Sequence, residues 1–145
     1  MDREIAFEVP GLPPLKNEAT SLFSKDHGYF EAVCLLLQRA RAALPLGGRM
    51  PFGNADGLGL EVVIESAEDN LRGDATNYLG GIADVLEDKA QRERLRPGSL
   101  DHLGDLRAVA LYPNDRQIRE IRYRYRRGEA QRYTVRVWAL PAEAR

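Results

Sequence analysis

The chain has few of the residues that mark redox, zinc-binding or disulfide-stabilised proteins. It contains one cysteine, Cys34, and two histidines among 145 residues. A single cysteine excludes an intrachain disulfide, and its place in an apolar helical run predicts a buried thiol that packs as a small hydrophobe. This cysteine usage leads us to expect a cytoplasmic protein.

Long apolar runs and the common catalytic motifs are also missing. The longest apolar run, Ala32–Leu37, is far too short to span a bilayer, so we expect no membrane partner. The sequence has no glycine-rich phosphate loop, no nucleophile elbow and no paired-cysteine motif. The candidates for chemistry are therefore carboxylates and arginines.

Hydrophobic periodicity predicts an α+β fold in a single domain covering residues 1–145. Alternating apolar residues predict strands at Glu4–Val9 and at residues 58–64. Apolar residues at three- and four-residue spacing predict helices at Tyr29–Leu44 and from Asp74 to about Asp88. We expect a mixed β-sheet with these two main helices packed on it.

The C-terminal half is less regular. The charged segment Lys89–Arg107 predicts a short helix and a surface excursion, and Ala108–Tyr112 predicts a short strand. Ile118–Tyr125 and Ala130–Leu140 predict a β-hairpin, with Gly128 adopting the positive φ of a tight turn.

Positive charge is concentrated near the C-terminus. The net charge is −1, but residues 116–136 contain eight arginines against two glutamates, a local charge of +6, so the rest of the chain carries −7. Such asymmetry is typical of a surface that faces a polyanion.

Alternation along the predicted hairpin places Arg122, Arg124 and Arg136 on one face. Guanidinium groups match phosphate geometry, so this face is a candidate nucleic-acid-binding surface. The alternative is a solvated face whose arginines pair with Glu120 and Glu129, or with an acidic helix of a partner subunit.

Two carboxylates are candidate metal ligands. Asp74 and Asn77 present oxygens within one turn of the second helix, and Asp115 precedes a strand that could neighbour it. Hard cations such as Mg²⁺ prefer such ligands, and a bound Mg²⁺ can polarise a phosphate and activate water for hydrolysis. The alternative is that Asp74 is a helix cap and Asp115 a turn residue.

Three short motifs in a fixed order resemble the RusA-type Holliday-junction resolvases, which are small homodimeric α+β endonucleases. The first is Val9–Asn17, the second is Asp74-Ala75-Thr76-Asn77 followed by Asp84, and the third is Asn114–Ile118. The order of elements agrees from Ile5 to about Trp138.

The resemblance implies a Mg²⁺- or Mn²⁺-dependent endodeoxyribonuclease that cleaves branched DNA such as Holliday junctions. Asp74 and Asp115 would be catalytic and hold the metal with Asn77, while Lys16 and Asn17 would contact phosphate. The chain would act as a homodimer.

Three positions depart from the family pattern. Thr76 replaces the second helix Asp, Gly80 replaces a helix Lys, and Asn114 replaces the first residue of an Asp-Asp pair. Fewer carboxylates bind a hard cation more weakly, because Coulomb attraction supplies most of its affinity. The alternative function is therefore a catalytically impaired RusA-fold binding or interaction module.

Overall fold

The computed structural model describes residues 3–16, 23, 29–45, 47–69 and 74–142, and it contains a mixed four-stranded sheet. The strands are β1 (Glu4–Pro10), β2 (Leu58–Ser66), β3 (Ile118–Arg127) and β4 (Arg132–Ala139). Their order is β1-β4-β2-β3; β2 and β3 are parallel, whereas β4 is antiparallel to both β1 and β2. The predicted α+β class is confirmed.

Three α-helices accompany the sheet in the described part of the chain. They are α1 (Phe30–Ala43), α2 (Ala75–Leu86) and α3 (Ala90–Leu95). The two main helices lie within one or two residues of their predicted bounds, which is the usual uncertainty of helix ends. None of the described helices is long and apolar enough to cross a membrane.

Both main helices contribute to one core on one face of the sheet. Alternate residues of β2 and β4, such as Leu60, Val62 and Val135, are almost fully buried and share this core with Ile82 of α2 and Leu36 of α1. Because side chains alternate along a strand, the other face of the sheet carries the polar residues.

The predicted hairpin is wrong in its pairing. β3 and β4 follow each other in sequence, but β2 lies between them and is hydrogen-bonded to both. Gly128 does not adopt a positive φ. Its lack of a side chain matters for space instead, because a Cβ there would lie 2.2 Å from Glu65 Oε1.

The segment after α2 also differs from its prediction. Ala108–Tyr112 is not a strand. It contacts the end of α2 instead, through an isolated β-bridge from Tyr112 to Glu87 and a hydrogen bond from Leu111 N–H to the Leu86 carbonyl (2.8 Å). The short helix predicted within Lys89–Arg107 is present as α3. The segment is more than a surface excursion, because Leu100, Leu103 and Leu106 anchor it in the core.

Candidate functional site

Asp74 caps the N-terminus of α2. Its Oδ1 accepts hydrogen bonds from Asn77 N–H and from Thr76 Oγ1, both at 2.9 Å. The Asn77 N–H, and then the Thr76 hydroxyl, lower the pKa of the Asp74 carboxyl. The carboxylate is exposed and ionised at neutral pH, as a metal ligand must be, and Thr76 supports it through a hydrogen bond rather than adding a negative charge.

A loop from the first motif packs against α2. The Lys16 N–H donates to the Asn77 carbonyl at 3.3 Å. A Cβ at Gly81 would lie 2.2 Å from the Pro14 carbonyl oxygen, so only glycine allows this close approach of two backbones. Two motifs about sixty residues apart in sequence are therefore in direct contact.

Lys16 occupies the space above Gly80. Its Cδ lies 3.3 Å from the position of a Cβ at Gly80, and its Nζ forms an ion pair with Asp84 Oδ2 at 3.1 Å. The RusA-type pattern has a lysine at the position of Gly80. In this chain the ammonium group of Lys16, which comes from another segment, lies over the same turn of α2. Asn17 lies outside the described residues.

The third motif meets the opposite end of α2. The Asp115 N–H donates to Glu87 Oε2 at 2.8 Å. The Asn114 side-chain oxygen accepts from Arg116 N–H, and the backbone N–H of Asn114 donates to Gln117 Oε1. Together these bonds form a capping box at a short 3₁₀ helix. Asp115 is therefore fixed against the C-cap of α2.

Carboxylates cluster loosely at this end of the helix. Burial raises the pKa of Glu87, and the neighbouring charges of Asp115 and Asp84 add to the increase, whereas the N–H of Asp115 opposes it. Close to these carboxylates, the hydroxyl of the buried Tyr112 donates to the Ala83 carbonyl of α2 at 2.7 Å.

Asp74 and Asp115 are not brought together within one chain. Asp74 is the N-cap of α2, whereas Asp115 contacts its C-cap, Glu87. The twelve residues between these caps form a helix about 18 Å long. Among the described residues, no group of three or more His, Cys, Asp or Glu is arranged to hold a metal ion. The metal-binding roles of Asp74, Asn77 and Asp115 stay predictions.

Two of the three arginines on the predicted nucleic-acid-binding face of the sheet form ion pairs with glutamates. Arg136 Nε lies 2.5 Å from Glu4 Oε1, and Arg136 Nη1 lies 3.8 Å from Glu61 Oε1. Arg122 pairs with Glu120 at 3.1 Å, as the alternative interpretation expected. The glutamates of β1 and β2 were not predicted as partners, because the sequence does not reveal which strands are neighbours.

Trp138 adds an aromatic centre to this face. A Cβ at Gly59 would lie 2.2 Å from the Trp138 ring, so the indole lies directly on the backbone of β2. The guanidinium groups of Arg136 and Arg122 lie 4.7 and 5.5 Å from its ring centroid. These cation–π contacts hold both arginines to the sheet.

Two further features had no signal in the sequence. Lys89 is 3% exposed, and its ammonium donates to the carbonyls of Val109 (2.5 Å) and Glu87 (3.2 Å). Burial lowers the pKa of Lys89 to about 7. A cleft of about 530 Å³ also lies between α3 and Asn114, and Arg94 and Arg96 are among its lining residues.

Comparison with protein-family models found no match, and comparison with curated proteins found none either.

Proposed function

We propose that the protein is a RusA-like nucleic-acid-binding protein of the cytoplasm that acts on branched DNA such as Holliday junctions. One observation supports this proposal most strongly. The second motif forms the start of α2, with Asp74 as its N-cap, and the other two motifs contact the same helix although they are far from it in sequence. Pro14 and Lys16 contact it at Asn77 and Gly81, and Asp115 contacts its C-cap, Glu87.

We assign the first phosphate contact to Lys16. Its side chain is 48% exposed, so its ammonium can reach a phosphate while it remains over α2 beside Asp84. Arg124 is the second candidate, because it makes no ion pair with any residue in the described part of the chain. Arg122 and Arg136 would have to exchange a glutamate for a phosphate in order to bind DNA.

We further propose Mg²⁺- or Mn²⁺-dependent cleavage by a homodimer. Within one chain Asp74 and Asp115 lie at opposite ends of α2, so a metal held by both requires Asp74 of one protomer and the partner's Asp115. A bound metal would polarise the scissile phosphate and lower the pKa of its water. In this chain Asp74 supplies an ionised, exposed carboxylate, and Asn77 adds an exposed amide one turn along.

The second candidate is a catalytically impaired RusA-fold module that binds DNA without cutting it. It is favoured by the separation of Asp74 and Asp115 and by Thr76, whose hydroxyl hydrogen-bonds Asp74 where the family pattern has a carboxylate.

A junction-cleavage assay separates the two candidates. Synthetic four-way junctions are incubated with the protein and Mg²⁺ or Mn²⁺, and binding is measured in parallel over a range of salt concentrations. The nuclease predicts metal-dependent cleavage, whereas the binding module predicts salt-sensitive association without cleavage. Failure to bind junctions even at low salt would reject both.

Subunit mixing tests the shared site. Asp74→Asn keeps a good helix cap while it removes the charge, so it is a cleaner variant than alanine. Asp74→Asn and Asp115→Asn should each abolish cleavage as homodimers. Co-refolded mixed dimers should regain one intact site, because one protomer keeps Asp74 and the other keeps Asp115. Inactive mixed dimers would show that each site lies within one chain.

A further inference from the structure

The outer edge of β3 is open in the described part of the chain. β3 is ten residues long, and its hydrogen-bonded neighbour is β2 on one side. No described strand pairs with its other side. A long edge strand presents a row of backbone N–H and C=O groups that can pair with another extended segment.

The two faces of this edge have different chemistry. On the side of the helices, Ile121 is 54% exposed and is followed at alternate positions by the half-buried Tyr123 and Tyr125. On the opposite side, Arg122 and Arg126 are 58% and 56% exposed. An added strand would therefore meet apolar side chains on one face and guanidinium groups on the other.

The sign of charge alternates from strand to strand across this opposite side. Arg136 of β4 lies across from Glu61 of β2, which lies across from Arg122 of β3. A second row repeats the pattern with Arg132, Glu65 and Arg126, where Glu65 lies within 3.5 Å of both arginines. Opposite charges on facing residues stabilise neighbouring strands. β3 is the last strand of the sheet and is basic, and in the described part of the chain no acidic strand lies on its outer side.

Arg124 is the arginine of β3 on this side that has no glutamate across from it. It stands across from Val63 rather than a glutamate, and it makes no ion pair with any described residue. A carboxylate on an added strand would give Arg124 the charged partner that the described residues do not supply.

We propose that the outer edge of β3 binds an extended segment of a partner protein in which acidic residues alternate with apolar ones. The backbone of the segment pairs with β3, its carboxylates contact Arg122, Arg124 and Arg126, and its apolar side chains lie on Ile121 and Tyr123. Strand addition of this kind derives affinity from main-chain hydrogen bonds and specificity from the alternating side chains. It requires neither a metal nor DNA, but it uses Arg122 and Arg124, which are also candidate phosphate contacts, so the acidic segment and DNA would compete for these two arginines.

A second copy of β3 fits this edge poorly. Antiparallel pairing of two β3 strands would set arginine against arginine, and facing like charges destabilise a strand pair. Among the strands that the structure describes, β1 is the other edge strand, and in a second copy it would present Glu4 and Glu8 to this edge.

A peptide-binding experiment tests the proposal. The probe is a blocked, fluorescent nine-residue peptide of alternating glutamate and valine. Two control peptides accompany it, one with lysine in place of glutamate and one with alternate backbone nitrogens methylated. We expect binding of the acidic peptide alone, with slowed hydrogen exchange at β3 amides. Arg124→Glu should weaken it about tenfold, whereas Arg39→Glu, the same change of charge on exposed α1, should change it less than about twofold.

Four results would overturn the proposal. Equal binding of the lysine peptide would remove the charge argument, and equal binding of the methylated peptide would remove strand pairing. Oligomers that form with rising concentration and dissociate in Glu8→Lys would make β1 of a second copy the occupant. Loss of junction binding but not of peptide binding in Arg124→Glu would assign this arginine to nucleic acid.

Discussion

Two adjacent glycines of α2 give the most direct test of how the first motif docks on the helix. Gly80 and Gly81 are neighbours in the same helix, so replacement by alanine changes intrinsic helix stability equally. Their surroundings differ. A Cβ at Gly81 would lie 2.2 Å from the Pro14 carbonyl oxygen, whereas one at Gly80 would lie 3.3 Å from Cδ of the flexible Lys16 side chain.

The expected energies have opposite signs. Alanine in place of a helical glycine stabilises a helix by about 1 kcal/mol, and Gly80→Ala should keep most of this gain. In Gly81→Ala the Pro14 backbone must retreat by about 1 Å, which costs about 1–3 kcal/mol in a packed interface. The hydrogen bond from Lys16 N–H to the Asn77 carbonyl is lost as well, at about 1 kcal/mol. After the helix gain of about 1 kcal/mol is subtracted from these costs, we expect Gly81→Ala to lower the free energy of unfolding by about 1–3 kcal/mol.

Urea denaturation of the two variants beside the parent measures the difference. The two variants should differ by about 2–4 kcal/mol, which corresponds to about 6–12 °C in Tm for a chain of this size. Gly81→Ala should also release Lys16 from Asp84 and so change junction binding, whereas Gly80→Ala should not. If both variants gain stability equally, Pro14 does not lie against α2, and the placement of Lys16 over Gly80 fails with it.

Substitutions at three further residues test other parts of the structure. Because Lys89 has a folded pKa of about 7 and an unfolded value near 10.5, the unfolded chain binds more protons between these values and stability rises with pH. Chemical denaturation should show a rise of about 2 kcal/mol from pH 7 to 8.5 that Lys89→Met removes, and an identical slope in the variant would contradict the burial of this charge. Asp74→Ala should lower stability by about 1 kcal/mol through loss of the N-cap while Asp74→Asn changes it little, as measured by thermal unfolding; equal losses would argue against a capping role. Gly59→Ala should displace the Trp138 ring and shift its fluorescence, whereas an unchanged emission spectrum would show that the indole does not lie on β2.

Local patterns explain why the sequence predicted the main elements well. The alternation in β1 and β2 and the three- and four-residue spacing in α1 and α2 reflect which face of each element is buried. Asp74 was placed correctly at the start of α2, because capping depends on residues within one turn. These features need no knowledge of the remainder of the chain.

Pairing between distant segments explains the errors. β3 and β4 are adjacent in sequence and were expected to pair, but β2 lies between them. The same arrangement supplies Arg136 with Glu61, a partner seventy-five residues away along the chain. No local pattern distinguishes an arginine that will face a glutamate from one that will face solvent.

The candidate site divides in the same way. The sequence by itself determined an α+β protein with Asp74 at a helix start, a basic C-terminal region and an ordered set of three motifs, because composition and short-range spacing specify these. Only the tertiary structure decided that Lys16 stands over Gly80, that Asp115 lies at the far end of α2 from Asp74, and that the sheet ends on an arginine-bearing edge. These three placements depend on the direction of α2 and on the order of the strands. Both are fixed by burial of the shared core and not by residues that are neighbours in sequence.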